Sequence, residues 1–177
     1  MHPELERLLG NVPAGDLSDL PLEDVRSRRA TAESLEESVS YLRRVIQVRL
    51  DILGTELSNR RSGGERAEVG DLVARLPDLL AEHSRGPGSG QAPRELRVPH
   101  VDEALSAAVD EIVPTSRLAE LAQLDDDTLA ALVDQLERLE AEVSATRRDL
   151  HGRLDALQAE IIRRYRTGEA NVDSLLQ

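Results

Sequence analysis

The sequence predicts an all-α protein: an antiparallel two-helix coiled-coil hairpin with additional short helices and a flexible linker. Three observations carry this expectation. The 177 residues are 40% apolar, yet Phe and Trp are absent and Tyr41 and Tyr165 are the only aromatic residues. Aliphatic helix-on-helix packing suits that composition, whereas sandwiches and barrels draw on aromatic and β-branched side chains. Two stretches place aliphatic residues at helical spacing over many turns: Leu35, Val39, Leu42, Ile46, Leu50, Leu53 and Leu57, then Leu132, Leu136, Leu139, Val143, Leu150, Leu154, Leu157 and Ile161. The two stretches are also copies. Leu35, Val39, Arg44, Arg49, Leu50, Leu53 and Glu56 recur 104 positions later as Leu139, Val143, Arg148, Arg153, Leu154, Leu157 and Glu160, and Leu17 and Leu20 recur as Leu121 and Leu124.

The elements follow in order within a single helical domain spanning 1–177. Residues 5–9 form a short amphipathic turn that ends at Gly10. A first motif segment at 16–60 holds the first long helix. Pro21, suited to a first helical turn, starts it after Ser18 or Asp19, and Ser62-Gly63-Gly64 stops it after about Asn59. Segment 61–115 carries short helices, one at 71–82 interrupted by Pro77, and a flexible Gly/Pro-rich linker at 84–98. At 101–113 Val101, Leu105, Ala108 and Ile112 give one apolar face, closed by Pro114. In the second motif segment, 116–166, a turn of helix at 116–123 precedes Asp125-Asp126-Asp127, which supply a cap and first-turn acids for the second long helix. Thr167-Gly168 ends that helix, leaving a tail at 167–177.

Beside the apolar seam runs a duplicated polar pattern. Glu36, Ser40, Arg43, Gln47 and Asp51 recur as Glu140, Ser144, Arg147, His151 and Asp155. At about 100° per residue, the steps of 4, 3, 4 and 4 keep all five within about 80° of one helix face, and the apolar seam centres about 100° away. Two such helices joined along their seams bring both strips to the lips of one groove. An antiparallel pair related by a two-fold superimposes one strip on the other and sets Arg43 and Arg147 near the centre. A single strip of this kind would be an ordinary solvated flank with i,i+4 pairs. Repetition argues otherwise, because neighbouring positions drift (Tyr41 to Ala145, Val45 to Asp149, Val48 to Gly152) while four strip positions keep their identity.

These residue types suit a nucleobase and a phosphate. Arg bonds guanine O6 and N7 bidentately or clamps a phosphate, and an Asp carboxylate accepts from guanine N1–H and N2–H2. Ser and Gln add neutral donors. Two copies related by a two-fold suit a two-fold symmetric ligand, and a cyclic dinucleotide of guanine meets every condition.

Other chemistry finds little support. There is no cysteine, and His2, His83, His100 and His151 are scattered without metal-binding spacing. The Gly-rich stretch at 86–90 has no following Lys-Ser/Thr and reads as linker, not as a phosphate loop. No nucleophile, base or metal site stands out, so no enzyme is expected. The net charge is −12 and every basic residue is Arg. Such a protein is a poor DNA or RNA binder and a plausible partner for a basic surface. With no leader-like start and no run approaching a membrane span, a cytoplasmic protein without membrane contact is expected.

The two strips resemble the signature of actinobacterial anti-sigma factors of the RsiG type, E-x3-S-x2-R-x3-Q-x3-D carried once on each of two coiled-coil helices. Glu36-x3-Ser40-x2-Arg43-x3-Gln47-x3-Asp51 fits in full, and Glu140-x3-Ser144-x2-Arg147-x3-His151-x3-Asp155 fits except that His151 stands where Gln is expected. A neutral imidazole still donates one hydrogen bond and accepts another. The resemblance implies that cyclic di-GMP binds between the helices through these ten residues, and that the loaded protein sequesters a WhiG-like sporulation sigma factor. Segment 61–115 and the tail match no motif. The alternative is a nucleotide-independent coiled-coil adaptor for a basic partner, its strips serving solubility and register.

Overall fold

The long helices form where the two seams run. In a computed structural model, which describes residues 3–12, 15–64 and 103–169, α2 spans Leu22–Arg61 and a second long helix spans Asp126–Thr167. Three shorter helices accompany them: α1 at Pro3–Gly10, α3 at Glu103–Ile112 and α4 at Thr115–Ala119. A single 3-10 turn at Leu121–Gln123 leads into the second long helix, here α5. No strand occurs among the described residues. The expected helix at 71–82 and the linker at 84–98 lie outside them, as does nearly all of the tail.

Both long helices are terminated as their sequences suggest. The Asp125 carboxylate accepts from the Thr128 N–H at 2.6 Å, capping α5. At the other end Gly168 takes the left-handed conformation, φ 75°, that a residue with a Cβ resists. Acidic first turns (Glu23 and Asp24; Asp126 and Asp127) and basic last turns (Arg60 and Arg61; Arg164 and Arg166) complement both helix dipoles. One boundary differs from the first motif segment at 16–60. Residues 16–21 are not helical: the Leu20 N–H turns back to the Leu17 carbonyl, and the Asp16 carboxylate accepts from the Ser18 N–H.

α2 and α5 pack side by side and antiparallel. Residue 43 meets 140 and 144, residue 36 meets 147 and 151, and residue 60 meets 124 and 126. Between them Val39, Leu42, Ile46 and Leu53 from α2 and Leu136, Val143, Leu150 and Leu157 from α5 are nearly or wholly buried. Each buried aliphatic side chain contributes about 1.5–3 kcal/mol relative to exposure, so the seam supplies most of the force holding the hairpin.

α1 and α3 pack behind this pair. Leu5, Leu9, Val12, Val109 and Val113 are buried, and the matched residues Arg153 and Arg49 anchor the two helices. Arg153 Nη1 donates to the carbonyls of Leu9 (2.8 Å) and Val12, while Arg49 Nη2 bonds Asp110 Oδ1 at 2.5 Å. At about 100° per residue, Arg49 and Arg153 lie on the reverse of their helices from the polar strips. The short helices therefore occupy the rear, and the strips face outward.

Candidate functional site

Eight of the ten strip residues are linked by hydrogen bonds or ion-pair contacts across the two helices, and Asp51 and Asp155 lie beyond them. The Arg43 Nε–H, from α2, donates to both Glu140 Oε1 (2.9 Å) and Ser144 Oγ (2.8 Å) on α5, and the Ser144 hydroxyl donates to the same carboxylate oxygen at 2.9 Å. The reciprocal triangle has the Arg147 Nε–H donating to Glu36 Oε1 (3.1 Å) and Ser40 Oγ (2.8 Å), with Ser40 donating to Glu36 at 2.6 Å. Each Arg is thus held by the Glu–Ser pair of the opposite helix. The 4-residue step from Glu to Ser lets the hydroxyl reach its own helix's carboxylate, and the antiparallel register brings the other helix's Arg onto both.

Gln47 and His151 occupy equivalent places. Gln47 Nε2 lies 3.4 Å from Glu140 Oε1, and His151 Nε2 lies 3.3 Å from Glu36 Oε1. Replacing Gln by His therefore preserves one contact, with an imidazole nitrogen where the amide stood. Asp51 lines a groove of about 340 Å³ with Gln47, Leu50, Glu137 and Glu140. Asp155, its counterpart, is exposed one turn beyond His151.

The guanidiniums are constrained but not used up. Both are bonded through Nε, and neither Nη1 nor Nη2 of Arg43 or Arg147 has a hydrogen-bond partner among the described residues. Their side chains are 35% and 38% exposed. A guanidinium gripped along one edge keeps its outer donors in a fixed orientation, ready for a planar or anionic acceptor.

Two further repeated pairs escaped the sequence reading, although the same 104-residue offset marks them. One is Arg60 and Arg164. Arg60 bonds Glu56 (2.5 Å), Asp126 (3.1 Å) and the carbonyls of Leu121 (2.9 Å) and Leu124 (2.6 Å). Arg164 bonds Glu160 (2.6 Å) and the carbonyls of Leu17 (2.5 Å) and Leu20 (2.6 Å), with Ser18 further off at 3.3 Å. The repeated Leu pairs are the turns these arginines clasp, one at each end of the hairpin. Hydrogen bonds from Arg163 and Arg164 hold the Glu160 carboxyl at about 2, well below its ordinary value. The other pair is Glu33 and Glu137, which share the strip face.

The fold and the strip together define a duplicated helical hairpin whose outward polar surface is built jointly by two symmetry-related helices. The chain matches the RsiG-like family over residues 11–80 and 115–177 and belongs to that family. It is accordingly a regulator of the anti-sigma-factor type. The match spans both long helices and both Leu-turn clasps, and omits the N-terminal ten residues and most of the segment between the halves. None of the curated proteins compared with the chain matches it. Among the described residues, no helix is long and apolar enough to cross a membrane.

Proposed function

We propose that the protein is a cytoplasmic anti-sigma factor that binds cyclic di-GMP across the two strips and, when loaded, sequesters a WhiG-like sigma factor to repress sporulation genes. The observation that carries this reading is the pair of reciprocal Glu–Ser–Arg triangles, which fix Arg43 and Arg147 through Nε and leave the Nη donors open on the outward face. In the strips Glu36, Glu140, Asp51 and Asp155 outnumber the two guanidiniums. A bare phosphate clamp would not be built this way. A ligand that carries hydrogen-bond donors as well as anionic groups fits both halves of the inventory, and guanine presents N1–H and N2–H2 for the carboxylates with O6 and N7 for the arginines. Cyclic di-GMP is itself two-fold symmetric, like the strip that would receive it.

Partner choice follows from charge. A protein of net charge −12 carrying an anionic ligand favours a basic surface, and a sigma factor offers one where it meets promoter DNA. Ligand and sigma factor are then coupled, each raising affinity for the other by the same factor. Calorimetry with cyclic di-GMP, with and without a purified WhiG-like sigma factor, tests this. Saturable nucleotide binding that tightens when sigma is present is the expected result. Sigma capture of equal strength with and without nucleotide, together with no heat of nucleotide binding, would leave the nucleotide-independent adaptor in its place.

A further inference from the structure

Building on the nucleotide reading, we infer that Glu137 and Glu33 form a sixth repeated position of the strip and read the donor edge of the base. Glu33 and Glu137 are 104 residues apart, as are the other five pairs. Each lies three residues before the motif's first Glu, and at about 100° per residue that step returns it to the azimuth of Asp51 and Asp155. The antiparallel register carries Glu137 across to the far end of the other strip, where it lines the 340 Å³ groove with Gln47 and Asp51. The same antiparallel register sets Glu33 opposite the His151–Asp155 end of α5.

The two copies differ in what restrains them. Arg29 pairs with Glu33 at 2.7 Å, whereas Val133 stands at the position equivalent to Arg29. Glu137 is exposed and has no ion-pair or hydrogen-bond partner among the described residues. Asp51 and Glu137 thus present two carboxylates to one groove from facing helices. A base edge seated in that groove would offer its hydrogen-bond donors to acceptors on both helices. Guanine brings N1–H and N2–H2, both of which a carboxylate can accept; hypoxanthine keeps N1–H and lacks the exocyclic amine.

The sign of the effect separates base reading from general electrostatics. Removing a negative charge beside a dianionic ligand should by charge alone strengthen binding, whereas loss of a base acceptor should weaken it. The experiment is calorimetry on the full chain with cyclic di-GMP and its hypoxanthine analogue cyclic di-IMP, for wild type, E137Q, E33Q and the exposed control D134N. E137Q is expected to lose about tenfold or more in cyclic di-GMP affinity, to shrink the preference for guanine over hypoxanthine, and to keep wild-type circular dichroism. E33Q should follow with a smaller loss, because Arg29 already shares its carboxylate, and D134N should match wild type. Unchanged or tighter cyclic di-GMP binding by E137Q, or an equal loss for both nucleotides, overturns the assignment while leaving the nucleotide site intact. Wild type that binds neither nucleotide overturns the underlying reading and this one with it.

Discussion

Two Arg–Glu systems recur in this molecule at the same 104-residue offset, and they differ in burial. At the ends of the hairpin Arg60 and Arg164 are 4% and 7% exposed, and each satisfies its guanidinium with a carboxylate and two or more backbone carbonyls. In the middle, Arg43 and Arg147 are about a third exposed and bonded only along Nε. The same pair of residue types therefore performs two jobs. Where every guanidinium nitrogen donates to the protein, the pair is a fastener. Where one edge is held and the other left open, it is a presenting group.

The largest expected effect falls on the fasteners. Arg60→Ala removes an ion-pair partner from the wholly buried Glu56 carboxylate and a donor from each of two carbonyls, so it should destabilise the fold by about 3–5 kcal/mol. Urea titration measures this, and Arg164→Ala should cost less than Arg60→Ala, because Arg163 still pairs with Glu160. A cost for either as small as that of the central variants would erase the distinction. Next come the presenting groups. Arg43→Ala and Arg147→Ala should each cost about 1–3 kcal/mol in cyclic di-GMP affinity and less than about 1 kcal/mol in folding stability. Reversed magnitudes would mean the central pairs are fasteners too. Smaller still, a double-mutant cycle between Arg43 and Glu140 in the absence of ligand should give a coupling of about 0.2–1 kcal/mol, as for other partly exposed pairs.

Acid titration sharpens the comparison last. The Glu160 carboxyl is held at about 2, so its contribution to stability is complete above the unfolded carboxylate range near ~4.3 and is lost as pH falls toward 2. The wild-type urea midpoint should fall across that window, and Glu160→Gln should show a shallower fall from a lower starting point. Identical slopes would show that the Arg163 and Arg164 contacts do not persist in solution.

Much of this was legible in the sequence because helices report burial through side-chain periodicity. The seam, the Asp125 cap, the Gly168 terminus and the strip residues all leave a residue-level mark. Arg60 and Arg164 left a weaker one. Their acceptors are backbone carbonyls, which every residue possesses, so nothing in Leu17, Leu20, Leu121 or Leu124 announces that it is clasped. The start of α2 at Pro21 was legible, whereas nothing in residues 17–20 announces that their carbonyls turn toward Arg164. Val109 of α3 and Val113 just after it are buried beside the expected Ile112 face, a choice that so short a helix leaves to its packing partners. Glu33 and Glu137 could have been found by extending the repeat one turn upstream, since their azimuth is that of Asp51.

One consequence of the internal duplication concerns mass action. Because a single chain supplies both α2 and α5, the groove is completed by a unimolecular event, and dilution cannot separate its lips. A groove shared between two subunits would vanish below their dissociation constant. Here the number of complete grooves equals the number of folded chains at any abundance.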